Sequence, residues 1–344
     1  MEHQKYMSRC LSLARKGLGS TYPNPLVGSV IVHENTIIGE GWHQKAGEPH
    51  AEVNAIAGVK DKSLLQFSTL YVNLEPCNHY GKTPPCSDLI VKHKIPRVVI
   101  GCVDSFKEVN GSGIEKLRSN GVEVIVGVLE KESRALNKRF FTFHQKKRPY
   151  IILKWAQSQD GFLAPLPESR DEQAPVFLSS RKAQIQVHQW RAEEQAILVG
   201  AQTVIDDNPA LTTRWVDGKN PIPIILDPKN RIPITARVLQ STGDHIHLTK
   251  KTIDINHQAF PEEILLKSIQ HLYNQNIQSV IVEGGAKTLT HFITHELWDE
   301  ARIFTAKKDL HHGIKSPEIE GDIQSIFSDK SEDYQLIKKR RKQG

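Results

Sequence analysis

Along the first half of the chain the apolar positions alternate between two periods. Met7, Leu11 and Ala14 recur at helical spacing, as do Tyr6, Cys10 and Leu13, and Gly17 stops that helix. Val27 to His33 and Thr36 to Trp42, separated by Glu34-Asn35, predict a strand pair. His50 opens a second helix with Val53, Ile56 and Ala57 on one face and Gly58 at its end. A strand from Leu70 to Leu74 runs into Glu75-Pro76-Cys77, and after the loop 78–84 a helix begins near Pro85. A strand 97–102, a glycine-containing loop, a helix 114–120 and a strand 122–128 follow. Strands alternating with helices predict a layered α/β domain.

The polar stretch Gln145-Lys146-Lys147-Arg148-Pro149 suggests a boundary, after which the pattern restarts. Tyr150 to Trp155 reads as a strand carrying Lys154. Ser179 or Ser180 can cap a helix with Ala183, Val187 and Trp190 on one face. Residues 196–200, 222–227 and 279–283 read as buried strands, the last followed by Gly284-Gly285 and a helix through Leu289, Phe292 and Ile293. The expected organisation is two α/β domains, 1–146 and 147–337, with a basic tail at 338–344.

Length changes little here, since 344 residues suit two domains. No apolar run approaches the roughly 20 residues of a membrane span. The start, Met1-Glu2-His3-Gln4-Lys5, lacks the apolar core of a secretory signal. A cytoplasmic protein with no membrane partner is therefore expected. The formal charge of +6 is concentrated in Lys338, Lys339, Arg340, Arg341 and Lys342, so the body is close to neutral and no nucleic-acid partner is expected. A homo-oligomer is neither required nor excluded.

Four cysteines are too few for a disulfide scaffold and suggest a metal or catalytic use. His50-Ala51-Glu52, Pro76-Cys77 and Cys86 supply one histidine and two cysteines, a three-ligand set for catalytic zinc that leaves a position for water. Glu52 can reach that water without binding the metal, the arrangement of the zinc deaminases. Both His50 and Cys86 fall at expected helix starts, where the dipole favours thiolate. The second cysteine follows eight intervening residues rather than two. A structural zinc stays open as an alternative, with His79 the nearest fourth ligand. Cys10 and Cys102 lie in apolar elements and read as core.

The inserted loop Pro76-Cys77-Asn78-His79-Tyr80-Gly81-Lys82-Thr83-Pro84-Pro85-Cys86 closely resembles the signature of the bifunctional riboflavin-biosynthesis deaminase–reductase family. So do Pro23-Asn24-Pro25-Leu26-Val27-Gly28, Gly41-Trp42-His43, Gly47 and His50-Ala51-Glu52. The resemblance covers nearly the whole chain and is tightest in the first half. It implies a cytidine-deaminase-like three-layer domain followed by a dihydrofolate-reductase-like domain. It further implies zinc on His50, Cys77 and Cys86, Glu52 as acid/base, and substrate contacts at Asn24, His43, His79 and Lys82. Asp104-Ser105-Phe106-Lys107-Glu108-Val109 departs from the Asp-Pro-Asn-Pro run expected after its strand.

No G-x-G-x-x-G follows a strand in the second half, so a Rossmann site is not supported. Val282-Glu283-Gly284-Gly285-Ala286 instead runs a strand through a glycine pair into a helix, a turn that can approach phosphate. The resemblance implies NADPH contacts at Ala156, Thr203, Asp207 and from Gly285 through Ala286, Lys287 and Thr288. Arg191, Leu211, Arg214 and Glu283 match substrate positions, and Lys154 and Asp207 are the implied catalytic pair. Phe177 stands where bacterial relatives commonly carry tryptophan.

The implied reaction is deamination of 2,5-diamino-6-(5-phosphoribosylamino)pyrimidin-4-one, then NADPH-dependent reduction of the ribosyl to a ribityl chain. A nucleic-acid base deaminase, or an active deaminase joined to an impaired reductase, remain the alternatives.

Overall fold

The computed structural model describes residues 2–80, 84–104, 111–170, 173–174, 176–240, 243–256, 258–328 and 332–339. The chain divides into two compact units, Met1–Lys147 and Arg148–Gly344. The first contains α1 (Glu2–Arg15), β1 (Gly28–His33), β2 (Thr36–Trp42), α2 (Ala51–Gly58), β3 (Thr69–Leu74) and α3 (Cys86–Lys92). It continues through β4 (Arg97–Cys102), α4 (Ser112–Ser119), β5 (Glu123–Val126), α5 (Glu130–Leu136) and α6 (Lys138–Lys146). Its sheet has the order β2-β1-β3-β4-β5, with β1 antiparallel to both neighbours and β3, β4 and β5 parallel.

The strands are apolar on both faces, and their period of two sorts the residues into two cores. Val30, Val32, Tyr71 and Val99 pack with Tyr6, Met7, Cys10 and Leu13 of α1. Ile31, Leu70, Val72, Val98 and Ile100 face the opposite way, onto Ala55 and Ile56 of α2, Ile90 of α3 and Ile114 and Leu117 of α4. Cys10 and Cys102 are fully buried, as the sequence suggests.

Close approach of α2 to β2 depends on glycine. A Cβ on Gly41 would lie 2.4 Å from the Ala55 nitrogen and 2.6 Å from the Ala51 carbonyl oxygen. We expect Gly41→Ala to push α2 off the sheet and to cost this unit roughly 1–3 kcal/mol, the usual range for overpacking. Thermal unfolding of the native and Gly41→Ala proteins checks this.

The second unit runs β6 (Tyr150–Gln157), β7 (Phe162–Ala164), α7 (Arg181–Glu193), β8 (Ala196–Gly200), α8 (Ala201–Asp207) and β9 (Ile222–Leu226). Then come α9 (Arg237–Gln240), β10 (Ile246–Leu248), α10 (Pro261–Asn274), β11 (Ser279–Val282) and α11 (Ala286–Thr294). It ends with β12 (Glu300–Ala306), β13 (Ile314–Lys315), β14 (Asp322–Ser328) and β15 (Glu332–Lys338). The eight-stranded order is β10-β9-β8-β11-β6-β12-β15-β14, parallel through β12 and antiparallel beyond it. Leu153, Trp155, Leu198 and Val282 pack under α10 and α11, while Ile152, Ile197, Val199 and Ile281 pack under α7 and α8.

Parallel order places the carboxyl ends of β6, β8 and β11 on one edge, where open α/β sheets bind ligands. Lys338 closes β15 opposite Glu300, and Lys339 Nζ bonds the Glu296 carbonyl oxygen. Of the residues expected as a basic tail, Lys338 is thus the last of β15, and Lys339 also pairs with Glu296 Oε2 at 3.5 Å. Residues 340–344 lie outside the described ones.

Candidate active sites

In the first unit three elements bring the metal-ligand set together. His50 holds an extended backbone as the N-cap of α2, Cys77 follows β3, and Cys86 is the first residue of α3. His50 Nδ1 lies 3.5 Å from Cys77 Sγ and 3.4 Å from Cys86 Sγ, and all three donor atoms fall within 4.8 Å of one another. Zn–S bonds of ~2.3 Å and Zn–N bonds of ~2.1 Å would give a tetrahedral N···S edge of about 3.6 Å, so the donors fit that ion. Among the described residues no fourth His, Cys, Asp or Glu joins the group. His79 is exposed and lies outside the group.

Glu52, on the first turn of α2, is only 3 % exposed. Burial, reinforced by the neighbouring Cys77 sulfur, pushes its carboxyl up to about 7. The hydrogen bond from Cys86 draws the Cys77 thiol below the ordinary range, with His50 and the Cys86 backbone N–H adding to it. One thiolate of the pair is thus favoured by the fold itself.

Asn24 and His43 belong to the same cluster. The His43 ring packs edge-on against His50 with centroids 5.4 Å apart. Its Nδ1 faces the Pro49 carbonyl oxygen at 3.2 Å and must donate, so Nε2 accepts from Asn24 Nδ2 at 3.0 Å. Burial lowers the His43 pKa, in keeping with that neutral ring. Lys82 lies outside the described residues.

In the second unit Glu283 is the centre of charge. Arg191 from α7 grips it through two bonds, Nε–Oε1 at 2.9 Å and Nη2–Oε2 at 2.6 Å. Lys154 Nζ, from β6, lies 4.0 Å away. Burial opposes ionisation of Glu283, yet the Arg191 and Lys154 charges hold its carboxyl at about 2. Burial lowers the Lys154 pKa, against the pull of Glu283.

The glycine turn after β11 sits against α8. Gly284 has a φ of +129°, open only to glycine, and its carbonyl oxygen accepts from the Gly200 N–H at 3.0 Å. A Cβ on Gly285 would approach Thr203 Oγ1 to 3.0 Å, and one on Gly200 would meet Thr288 Oγ1 at 2.4 Å. Thr203, Gly285, Ala286 and Thr288 are therefore gathered at one sheet edge. Leu211 is buried with a φ of +55°, a left-handed backbone uncommon for a residue with a side chain.

The comparisons with known proteins divide along the same lines. Residues 1–102 match the cytidine and deoxycytidylate deaminase zinc-binding region, and residues 149–308 match the RibD C-terminal domain. Riboflavin biosynthesis protein RibD of Aquifex aeolicus is 42% identical over 325 residues, covering 90% of this chain and 88% of that protein. The chain belongs to the RibD family.

The Escherichia coli RibD is 36% identical over 337 residues, covering 90% and 89% of the two chains. A Thermotoga maritima structure superposes with a TM-score of 0.87 at 36% identity, covering 98% of this chain and 99% of that one. It is a diaminohydroxyphosphoribosylaminopyrimidine deaminase/5-amino-6-(5-phosphoribosylamino)uracil reductase. The chain is a bifunctional deaminase and reductase of riboflavin biosynthesis, with a cytidine-deaminase-like domain and a RibD reductase domain. Its cofactors are zinc and NADPH, and its substrate is a small molecule of that pathway.

Sequence patterns do not reveal three side chains that stand beside the candidate sites. Arg170 Nη1 pairs with Asp207 Oδ1 at 2.7 Å. His188 Nδ1 accepts the Arg214 backbone N–H at 3.0 Å and packs on Trp215, on which Arg181 also stacks. Glu75 ends β3. An isolated charge closing an apolar run was the available signal for Glu75; Arg170 and His188 offered none. Phe177, at the position of the expected tryptophan, is 61 % exposed.

Proposed function

We propose that the substrate is 2,5-diamino-6-(5-phosphoribosylamino)pyrimidin-4-one, taken as a free small molecule, deaminated by residues 1–146 and reduced by residues 147–337. The observation that carries the reading is the His50–Cys77–Cys86 triangle, partly buried at His50 and Cys77 and fully at Cys86, with the Glu52 carboxyl against it. In this proposal those three residues hold zinc, which when bound makes water nucleophilic at neutral pH. Glu52 takes the proton from the attacking water and delivers it to the departing ammonia. Asn24 and His43 bind the heterocycle edge, and His79 and Lys82 bind the ribose phosphate arm.

For the reductase we propose that Arg191 and Arg214 bind the sugar phosphate, with Leu211 and Glu283 beside the sugar. Ala156, Thr203, Asp207 and residues 285–288 hold NADPH, which supplies the hydride. Lys154 and Asp207 orient the opening sugar and manage its proton. What supports this is the gathering of the Lys154–Glu283–Arg191 cluster and the glycine turn on the carboxyl edge of one parallel sheet. Four unpaired cysteines suit a reducing compartment, and we place the enzyme in the cytoplasm.

Chelation tests the division of labour. Stripping zinc is expected to reduce ammonia release to background, while NADPH oxidation on the already deaminated pyrimidine stays within about two-fold of the untreated rate. Ammonia release that survives complete loss of metal would overturn the deaminase assignment.

A further inference from the structure

Cys77 sits on a segment with little support from the sheet. The last paired residue of β3 is Leu74, opposite Cys102, and Pro76 has no N–H to give. Beyond Cys77 the chain enters a loop before reaching α3. The thiolate position must therefore be set by contacts outside the strand ladder.

Most of those contacts come from one carboxylate. Glu75, 4 % exposed, accepts four backbone N–H groups. Oε1 takes Gly113 at 3.0 Å and Ile114 at 3.3 Å, in the first turn of α4. Oε2 takes Asp104 at 3.2 Å and Gly111 at 3.0 Å. The Glu75 N–H also bonds the Cys102 carbonyl oxygen at 3.0 Å. Alpha-helix α4 is drawn so close that a Cβ on Gly113 would stand 2.0 Å from the Pro76 carbonyl oxygen. Asn78 adds a weaker tie, donating to the Ser112 carbonyl oxygen at 3.2 Å. From the other side the Ser87 N–H bonds the Cys77 carbonyl oxygen and the Cys86 N–H bonds Cys77 Sγ.

We propose that Glu75 is a positioning residue for the metal centre: by clamping the start of α4 together with Asp104 and Gly111, it fixes Cys77 in ligating geometry. This rests on the reading of Cys77 as a zinc ligand. A carboxylate is required because a glutamine at this place would turn an NH2 group toward N–H donors and satisfy at most two of them. Groups that orient metal ligands through such contacts typically change metal affinity 10–100-fold when altered.

The test uses the full-length enzyme with Glu75→Gln, Glu75→Asp and Cys77→Ser. Zinc dissociation is followed with a chromogenic chelator, and the cobalt-substituted proteins are compared by their thiolate-to-cobalt absorption. Glu75→Gln is expected to release zinc 10–100-fold faster and to shift or weaken that absorption, with NADPH oxidation on the deaminated substrate unchanged. Glu75→Asp, one methylene shorter, is expected to fall between it and the native enzyme. Should Glu75→Gln not fold, Glu75→Asp decides: faster zinc release supports the role, and native release with a native cobalt spectrum overturns it. Native behaviour of both Glu75 variants, with the absorption lost in Cys77→Ser, overturns the inference while leaving the ligand intact. Native absorption in Cys77→Ser overturns the ligand reading as well.

Discussion

Replacing Glu52 by glutamine is expected to abolish ammonia release, by at least about 10³-fold, without loss of zinc and without effect on NADPH oxidation. General acid–base catalysis contributes typically 10²–10⁴-fold, and here one carboxyl would serve both the attack and the departure. The amide keeps the shape of the side chain but cannot take a proton. Glu52 is buried beside Cys86, so no other carboxylate can be expected to substitute for it from solvent. Ammonia release and NADPH oxidation, the latter on the deaminated pyrimidine, are measured separately on one preparation. An active Glu52→Gln enzyme would remove the proposed role.

In the second unit the largest effect is expected from Glu283→Gln. The change leaves Arg191 and Lys154 facing a neutral amide in a buried setting. Breaking a buried pair by removing one partner costs about 3–5 kcal/mol. For a unit of this size that corresponds to a melting point lower by roughly 6–20 °C. Reductase kcat/KM should fall by about 10²-fold or more, because Arg191 loses both bonds that fix its guanidinium, while ammonia release is unchanged.

The pH dependence has a definite sign. The folded carboxyl of Glu283 lies at about 2, below the ordinary value of roughly 4.3 expected on unfolding. A depressed carboxylate contributes stability that is present above the unfolded value and is lost as pH falls toward the folded one. The stability gap between native enzyme and Glu283→Gln should therefore be full at neutral pH and narrow between about pH 4.3 and 2. Denaturant titrations at several pH values check this, and a gap that widens on acidification would contradict it.

How far the sequence reveals this molecule depends on where its signals lie. Strand β2 and helix α1 follow directly from apolar spacing, whereas α2 forms as expected but buries Ala51, Glu52, Ala55 and Ile56 rather than the Val53–Ile56–Ala57 face. The His50, Cys77 and Cys86 cluster follows from residue type and order. Strand β12 is hidden because Glu300 and Arg302 are both buried in it, paired with each other and with Tyr150, so its polar residues mask a core strand. Its neighbour β15, and β14 beyond it, close the sheet edge with no turn signal as plain as Glu34-Asn35. Helix α10 carries its signals in the sequence: Pro261 at its start, Glu262 and Glu263 in the first turn, and Leu265, Ile269 and Leu272 on the buried face. The contacts Arg170–Asp207, His188–Arg214 and Glu75–α4 join residues distant in sequence, and no local pattern encodes them.

The most direct test of two centres working in series is the stoichiometry of one reaction. Purified zinc-loaded enzyme is given 2,5-diamino-6-(5-phosphoribosylamino)pyrimidin-4-one and NADPH, with ammonia and NADPH followed together. One ammonia per NADPH oxidised, with ammonia appearing first, is the expected result. NADPH oxidation without prior ammonia release, or no ammonia at all, would contradict it.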